Sequence, residues 1–347
     1  MCIDMDAFYV SVEQSFKPYL KHRPLAVGGK RDRGVICTCS YEARKYGIHS
    51  GMGSAVAKSL CPELVFLPVD IQKYSIVSKN IFSLLSKMLP KLVVSSIDEA
   101  YADITDIKMD TFQLIKKIKY VIKKYFDITC TIGVGPNKMT AKMATTVNKP
   151  DGYYIVDDDS AVSFLDSFPL SKMWGIGAST LNRLSEYGIF SVYELRTYGK
   201  ENLENILGIH GKKLYNAVYG IYEEDEAVKL SNKSISKATT FEYDISSKQE
   251  LYSYMYLLSE KVSRKLMDNL YAAKVISLTL KTYDFEYKTY RKTQNKYFFT
   301  HDDIYNYAKQ LFDEHNAGKV PLRLIGVGVT GLQQVDDSFY LYFTDKS

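Results

Sequence analysis

Met1-Cys2-Ile3-Asp4-Met5-Asp6-Ala7-Phe8-Tyr9-Val10-Ser11-Val12-Glu13 and, further along, Ser96-Ile97-Asp98-Glu99-Ala100-Tyr101-Ala102-Asp103 decide how this chain is read. The first stretch is a short apolar lead that ends in an acid. The second sets Asp98-Glu99 between two β-rich runs, Val93 to Ile97 and Ala100 to Ile104, which predicts a β-hairpin with the two acids at its tip. If both strands are neighbours in one sheet, Asp4, Asp98 and Glu99 converge at one edge. Three carboxylates so close repel one another unless cations neutralise them. Two magnesium ions held there would clamp the attacking and leaving oxygens of a phosphoryl transfer. The plain alternative is that each acid is a surface turn residue, and spacing alone does not choose between the two. The lead is also shorter than the roughly five residues of an ordinary strand. That predicts a truncated start or a clipped, frayed first strand, with Asp4 loosely held.

Strand alternation places Asp6 on the face of Asp4. Working outward, Val12 to Leu20 reads as a helix closed or kinked by Pro18. Short strands follow at Pro24 to Val27, Val35 to Thr38 and Val65 to Val69, with helices starting at Tyr41 and Ser54. Tyr74 to Leu89 and Phe112 to Phe126 read as amphipathic helices. The second carries Ile115, Ile118, Ile122 and Tyr125 on one face. Its lysines, Lys116, Lys117, Lys119, Lys123 and Lys124, cover the other, as a solvated face would. Ile128 to Val134 and Gly152 to Val156 are strands flanking a helix at Asn137 to Val147. From Asp157 the signal turns to short helices with two glycine turns, Gly175-Ile176-Gly177 and Gly208-Ile209-His210-Gly211. A charged stretch then precedes a β-α-β-β-α-β run, the split βαβ order. The fold class is α+β, without regular βαβ repeats.

The 347 residues suffice for several domains. With 46% hydrophobic and 24% charged residues, a wholly disordered chain is excluded. No apolar run approaches the roughly 20 residues that span a bilayer, and no signal peptide opens the sequence. Cys2, Cys37, Cys39, Cys61 and Cys130 are odd in number and contain no C-x-x-C pair, which predicts reduced thiols in a cytoplasm. A net charge of +5 permits an anionic partner without demanding one. Asp4-x-Asp6 after a strand also suggests a phosphotransferase of the haloacid dehalogenase type. Ala7 and Phe8 follow, however, and the hydroxyl residue of that motif is missing.

The stretch from Asp4 to Glu13 resembles the opening motif of the Y-family, or translesion, DNA polymerases. Tyr41-Glu42-Ala43-Arg44-Lys45-Tyr46-Gly47 resembles that family's fingers motif, and Ser96 to Asp103 its second carboxylate motif. Gly133-Val134-Gly135-Pro136-Asn137-Lys138, Ala141-Lys142-Met143-Ala144 and Asn148-Lys149-Pro150-Asp151-Gly152 resemble its last palm motif. They occur in the family's order over roughly residues 1 to 332, nearest to the DinB-like branch, with UmuC-type Gram-positive or phage relatives close by. The family carries further residues before its first aspartate.

The resemblance implies a right-hand polymerase. Its palm would be residues 1–10 and 71–158, its fingers 11–70 and its thumb 159–224. A linker (225–233), a little finger (234–332) and a tail (333–347) would follow. Asp4, Asp98 and Glu99 match the catalytic acids, and with the Met5 carbonyl they would hold two Mg²⁺ ions. Phe8, Tyr9, Cys37, Tyr41, Arg44 and Lys149 match the dNTP site. Within it Tyr9 is the steric gate, excluding the ribose 2′-hydroxyl, and small residues at Cys37 and Gly51 leave room above the new base pair. Gly175, Gly177, Gly208 and Gly211 would bring backbone turns of helix-hairpin-helix type to DNA phosphates. Lys237 and Arg323, with Lys274 and Lys281, would contact DNA from the little finger. The implied partners are primer-template DNA, dNTPs and, through Phe339-Tyr340-Leu341-Tyr342-Phe343, a sliding clamp, although Gln333 and Gln334 lie far upstream of that segment. The tail could equally add an edge strand. A monomeric bacterial cytoplasmic enzyme, nucleoid-associated when acting and without proofreading, is expected. The alternative is a catalytically inert homologue serving as a DNA-binding adaptor.

Overall fold

The structure is a computed structural model that describes residues 1–29, 33–219, 221, 233–315 and 320–336. The chain forms two compact units, Met1–Glu224 and Asp225–Ser347. The first begins with β1 (Cys2–Met5), α1 (Phe8–Phe16), β2 (Leu25–Gly28), β3 (Ile36–Cys39), α2 (Tyr41–Arg44), α3 (Ser54–Leu60) and β4 (Val65–Leu67). It continues with α4 (Ile71–Ser86), β5 (Leu92–Val94), β6 (Glu99–Ala102), α5 (Thr111–Phe126), β7 (Cys130–Val134), α6 (Lys138–Thr145) and β8 (Tyr153–Ile155). Five helices end it: α7 (Ala161–Asp166), α8 (Ala178–Ser185), α9 (Val192–Thr197), α10 (Lys200–Leu207) and α11 (Ile209–Val218).

The main sheet has the order β5-β6-β1-β7-β8. β1 is therefore central, antiparallel to β6 and β7, and its four residues are all buried. The Met1 ammonium donates to the Ala102 carbonyl at 3.0 Å. The expected frayed strand is thus corrected: two flanking ladders hold β1 along its length. Its apolar residues join α1, α4 and α5 in one core around Ile3, Tyr74, Ile81, Ile115 and Ile118. A separate three-stranded sheet, order β3-β2-β4, carries its own small core under α2 and α3.

Three local expectations need correction. α1 starts at Phe8, not Val12, because Ala7 adopts a left-handed backbone (φ 43°) that turns the chain directly from strand to helix. Pro18 does end α1 and opens a 3-10 turn. Tyr125 is 64% exposed, so the inward face of α5 is Leu114, Ile115, Ile118 and Ile122. Lys119 is no solvated lysine. Its ammonium donates to the Cys130 carbonyl at 2.8 Å and to the Asp151 carboxylate at 2.6 Å, tying α5 to β7 and the loop before β8.

Gly133 on β7 lets α6 lie close. A Cβ there would overlap the Ala141 carbonyl and crowd Thr145. Gly133→Ala is expected to cost about 3 kcal/mol by overpacking against backbone that cannot yield. Urea unfolding of purified protein measures this, and an unchanged midpoint would contradict it.

The second unit comprises β9 (Ser234–Ile245), α12 (Lys248–Asp268), β10 (Tyr271–Thr282), β11 (Tyr287–Phe298), α13 (His301–His315), β12 (Leu322–Thr330) and β13 (Gln333–Gln334). Its antiparallel sheet runs β11-β10-β12-β9, the split βαβ arrangement expected. Ile235, Phe241, Ile276, Leu278, Leu280, Ile325 and Val327 pack with α12 and α13. Among the described residues of this unit, no helix packs on the opposite face. β13 pairs with the start of β10. The segment Phe339–Phe343 and most of the 225–233 linker lie outside the described residues. Among the described residues all five cysteines are free, and no helix is long and apolar enough to cross a membrane.

Candidate active site

β1 delivers Asp4 to the end of the central strand, and the Ala7 turn sends Phe8 and Tyr9 back over it. The Cα register pairs Asp4 with Glu99 on β6, and the Met5 amide donates to the Asp98 carbonyl at 2.9 Å. The hairpin therefore sets its acids beside Asp4, as the sequence predicted. Asp98 sits in the loop and Glu99 opens β6. The Asp98 carboxylate accepts from the Ser96 hydroxyl at 2.6 Å.

Two lysines enter this acidic edge. The Lys142 ammonium donates to Asp4 Oδ2 at 2.7 Å and also to Glu99, while Lys149 pairs with Asp4 Oδ1. Burial alone would lower the pKa of Lys142. The charges of Asp4 and Glu99 outweigh it and drive the pKa well up, so the ammonium stays charged. Sequence reasoning passed over Lys142. It lies in the Ala141-Lys142-Met143-Ala144 motif, but only the packing of α6 against β7 and β1 turns it onto the acids.

Asp6 does not share the face of Asp4, because β1 ends at Met5. Its carboxylate is 1% exposed and accepts from Thr131 Oγ1 at 2.7 Å and from the Asp151 amide at 2.8 Å. It clasps the β1–α1 turn to the loop that carries Lys149.

α2 supplies the facing wall. Ser40 caps it, accepting from the Ala43 amide at 3.2 Å and from Leu25 at 3.1 Å. The Arg44 guanidinium lies 4.4 Å from the Tyr41 ring centroid. The Tyr41 hydroxyl is buried without a hydrogen-bond partner in good geometry. Desolvation, then the charges of Asp6 and Asp4, push its pKa well up. Such a neutral phenol is a donor awaiting an acceptor. Cys37 is exposed on β3. Tyr9 is half-buried and stacks on Tyr74 at 4.3 Å between centroids and 17° between planes. Burial first, then the charge of Asp98, raises its pKa. Phe8 is only 2% exposed and belongs mainly to the core.

These groups surround one cleft of about 500 Å³, lined among others by Asp4, Met5, Phe8, Tyr9, Cys37, Tyr41, Arg44, Asp98 and Lys149. An acidic end faces a cationic wall over an aromatic floor. Among the described residues no three His, Cys, Asp or Glu side chains are gathered tightly enough to hold a metal ion. The ammonium groups of Lys142 and Lys149 engage Asp4 and Glu99, while Asp98 accepts from Ser96. The donor set nevertheless fits hard divalent cations. It is all oxygen, and its buried members already bind positive charge.

The remaining predicted residues lie elsewhere. Gly175 has a φ of +87° and leads toward α8, where a Cβ on Gly177 would meet nothing within 4 Å. Gly208 is also left-handed, whereas Gly211 is buried and packs against the Leu203 carbonyl, so its close approach is to a helix. In the second unit, Lys237 shares its strand parity with the inward Ile235 and Phe241, but its own side chain is exposed. The open face carries Ser236, Ala238, Gly326 and Gly328, with Ser277 and Thr279 close to the glycines. Thr289 joins it through its hydroxyl contact with Thr279 at 3.2 Å, so parity adds Arg291 to this face. Lys281 has the parity of Thr279. The Arg323 guanidinium lies 4.4 Å from the Phe285 ring centroid.

Residues 3–146 match the impB/mucB/samB family and residues 232–339 its C-terminal domain. DNA polymerase IV 2 of Methanosarcina mazei is 37% identical over 345 residues, covering 96% of this chain and 92% of that protein. DNA polymerase IV of Listeria monocytogenes serotype 4a is 35% identical over 337 residues, covering 96% and 95%. Among solved structures, a Y-family DNA polymerase chimera of Dbh and Dpo4 matches with a TM-score of 0.85 at 28% identity, covering 96% of this chain and 98% of that one. An insertion ternary complex of Dbh DNA polymerase matches with a TM-score of 0.62 at 26% identity, covering 96% and 99%.

Proposed function

The chain belongs to the impB/mucB/samB family of Y-family translesion DNA polymerases, and from that premise we propose how its residues carry out DNA-directed DNA synthesis. The observation that carries the proposal is the register of Asp4 with Glu99 beside Asp98, at the acidic end of a cleft that Lys149 also enters and whose other wall carries Tyr41 and Arg44.

The main sheet would be the palm, the β3-β2-β4 sheet with α2 and α3 the fingers, α7 to α11 the thumb, and the second unit the little finger. Polymerases of this family depend on divalent metal. Asp4, Asp98, Glu99 and the Met5 carbonyl would hold two magnesium ions, which when bound neutralise charge on the α-phosphate and the departing pyrophosphate. Arg44 would fork onto phosphate oxygens, and the unpartnered Tyr41 hydroxyl would donate to them. Lys149 would leave Asp4 for the triphosphate, and Lys142 would remain to share the carboxylates' charge. Tyr9 would close the cleft beneath the sugar and reject a 2′-hydroxyl. The primer 3′-oxygen then attacks in line. The thumb turns at Gly175 and Gly208 would meet phosphates, and the open face of the second unit, with Arg291 and Lys281, would track the duplex without reading bases. A sliding clamp would dock on Phe339–Phe343, and the working form would be a monomer. Primer extension on a defined template with Mg²⁺ and dNTPs tests the proposal. Extension by the wild type but not by a carboxylate variant supports it, and none by either favours an inert adaptor.

Two substitutions probe parts of this scheme. Lys142→Met removes a charge that neutralises Asp4 and Glu99. In metal-free buffer its Tm should fall by about 2–5 °C. Added Mg²⁺ should then raise Tm more than in the wild type, because binding to the native state compensates. Equal responses to Mg²⁺ would refute the shared site. Cys37→Leu fills space above the new base pair. Bypass of bulky template lesions should fall by about tenfold while undamaged synthesis changes little. Unchanged bypass would overturn that assignment.

A further inference from the structure

Tyr9 and Glu13 lie four residues apart on α1, so both project from one face. Glu13 is 2% exposed, and an isolated carboxylate so placed is costly. It is fully engaged. Tyr74 donates its hydroxyl to Glu13 Oε1 at 2.8 Å, Lys73 forms an ion pair with the same oxygen, and Lys17 stands 3.5 Å from Oε2. Tyr74 is fully buried, and its ring is the one on which Tyr9 stacks. A buried phenol needs a partner, and this one has a partner that a second charge holds in place. The order is continuous: Lys73, Glu13, Tyr74, Tyr9. None of the first three lines the cleft, and the chemistry assigned above uses none of them.

We propose that Glu13, held by Lys73, is a positioning residue for sugar selection, fixing through the Tyr74 hydroxyl the ring on which Tyr9 rests. This rests on Tyr9 being the sugar-excluding residue. A ring that excludes one oxygen atom must not tilt or retreat by more than a few tenths of an ångström. Tyr9 is only half-buried and cannot fix its own plane. The stack sets the plane, and the Tyr74 hydroxyl bond stops the supporting ring from sliding. Loosening it should admit ribonucleotides without removing any group that touches the phosphates.

The test is single-nucleotide insertion of a dNTP and the matching rNTP opposite an undamaged template, read as the ratio of their kcat/KM values. Tyr74→Phe keeps the stack and loses only the hydroxyl. Its dNTP over rNTP selectivity should fall about tenfold, chiefly through faster rNTP insertion. Glu13→Leu should fall similarly, with Lys73 freed to solvent, while Glu13→Gln, which keeps an acceptor for Tyr74, should retain most of the selectivity. The Glu13→Leu/Tyr74→Phe double variant should be no worse than either alone. In a Tyr9→Ala background, Tyr74→Phe should change nothing further. If Tyr9→Ala itself leaves selectivity intact, the sugar-excluding assignment of Tyr9 fails. If Tyr9→Ala lowers selectivity but Tyr74→Phe does not, or does so equally without Tyr9, the positioning proposal is overturned and the assignment of Tyr9 survives. Should Glu13→Leu not fold, Tyr74→Phe with its volume preserved decides the matter.

Discussion

Asp98→Ala should reduce primer extension by at least about a thousandfold, the scale expected when a group that stabilises transferring phosphate charge through metal is removed. Asp98 is the sharper choice among the three acids. It stands in the hairpin loop, where the Ser96 hydroxyl donates to its carboxylate. Removing it strands no buried cation. Asp4→Ala would deprive Lys142 and Lys149 of a carboxylate that is 8% exposed, and lost activity could then reflect a disturbed sheet. The measurement is extension of a labelled primer with Mg²⁺ and four dNTPs, alongside Tm and DNA binding. Both controls should match the wild type. Residual extension above a few per cent would remove Asp98 from the chemistry.

Tyr9→Ala carries the second large effect. Its ring lines the cleft and stacks on the buried Tyr74, so a 2′-hydroxyl placed against it would meet a backed aromatic ring. Backing matters, because a wall that cannot yield converts overlap into free energy. Replacing the ring with a methyl group should lower discrimination against ribonucleotides about a hundredfold, with kcat/KM for dNTPs falling far less. Alkaline cleavage of extended primers reads out the incorporated ribonucleotides. Alkali-resistant products from the variant in mixed pools would contradict the assignment.

Much of this was legible because the relevant residues are local. Asp4 ends a strand, Asp98 and Glu99 sit at a hairpin, and Tyr41 and Arg44 share one face of a turn of helix. Each needs only a short segment to be placed. What escaped depends on distant packing. Lys142 reaches Asp4 only because Gly133 has no side chain and α6 can press onto the sheet. Lys119 looked like one more solvated lysine until β7 and the Asp151 loop closed over it. Asp6 was placed by strand parity, but the strand ends one residue earlier. The direction of Lys237 was also beyond a reading of charge alone, although its side chain is exposed. Its charge suggested DNA, and only the register of β9 shows that it shares its parity with Ile235 and Phe241 rather than with the face of Ser236 and Ala238.

The central position of β1 bears on which parts of the molecule open and which stay shut. A strand with ladders on both sides can expose its amides only if the sheet itself comes apart, so its exchange with deuterium should report the global unfolding of the first unit. The β3-β2-β4 sheet, with its small separate core, can open at lower cost. With that sheet as the proposed cover over the base pair, the cover would fluctuate to admit misshapen templates while Asp4 holds its place. Tolerance would belong to one subdomain and chemistry to another, each with its own opening free energy.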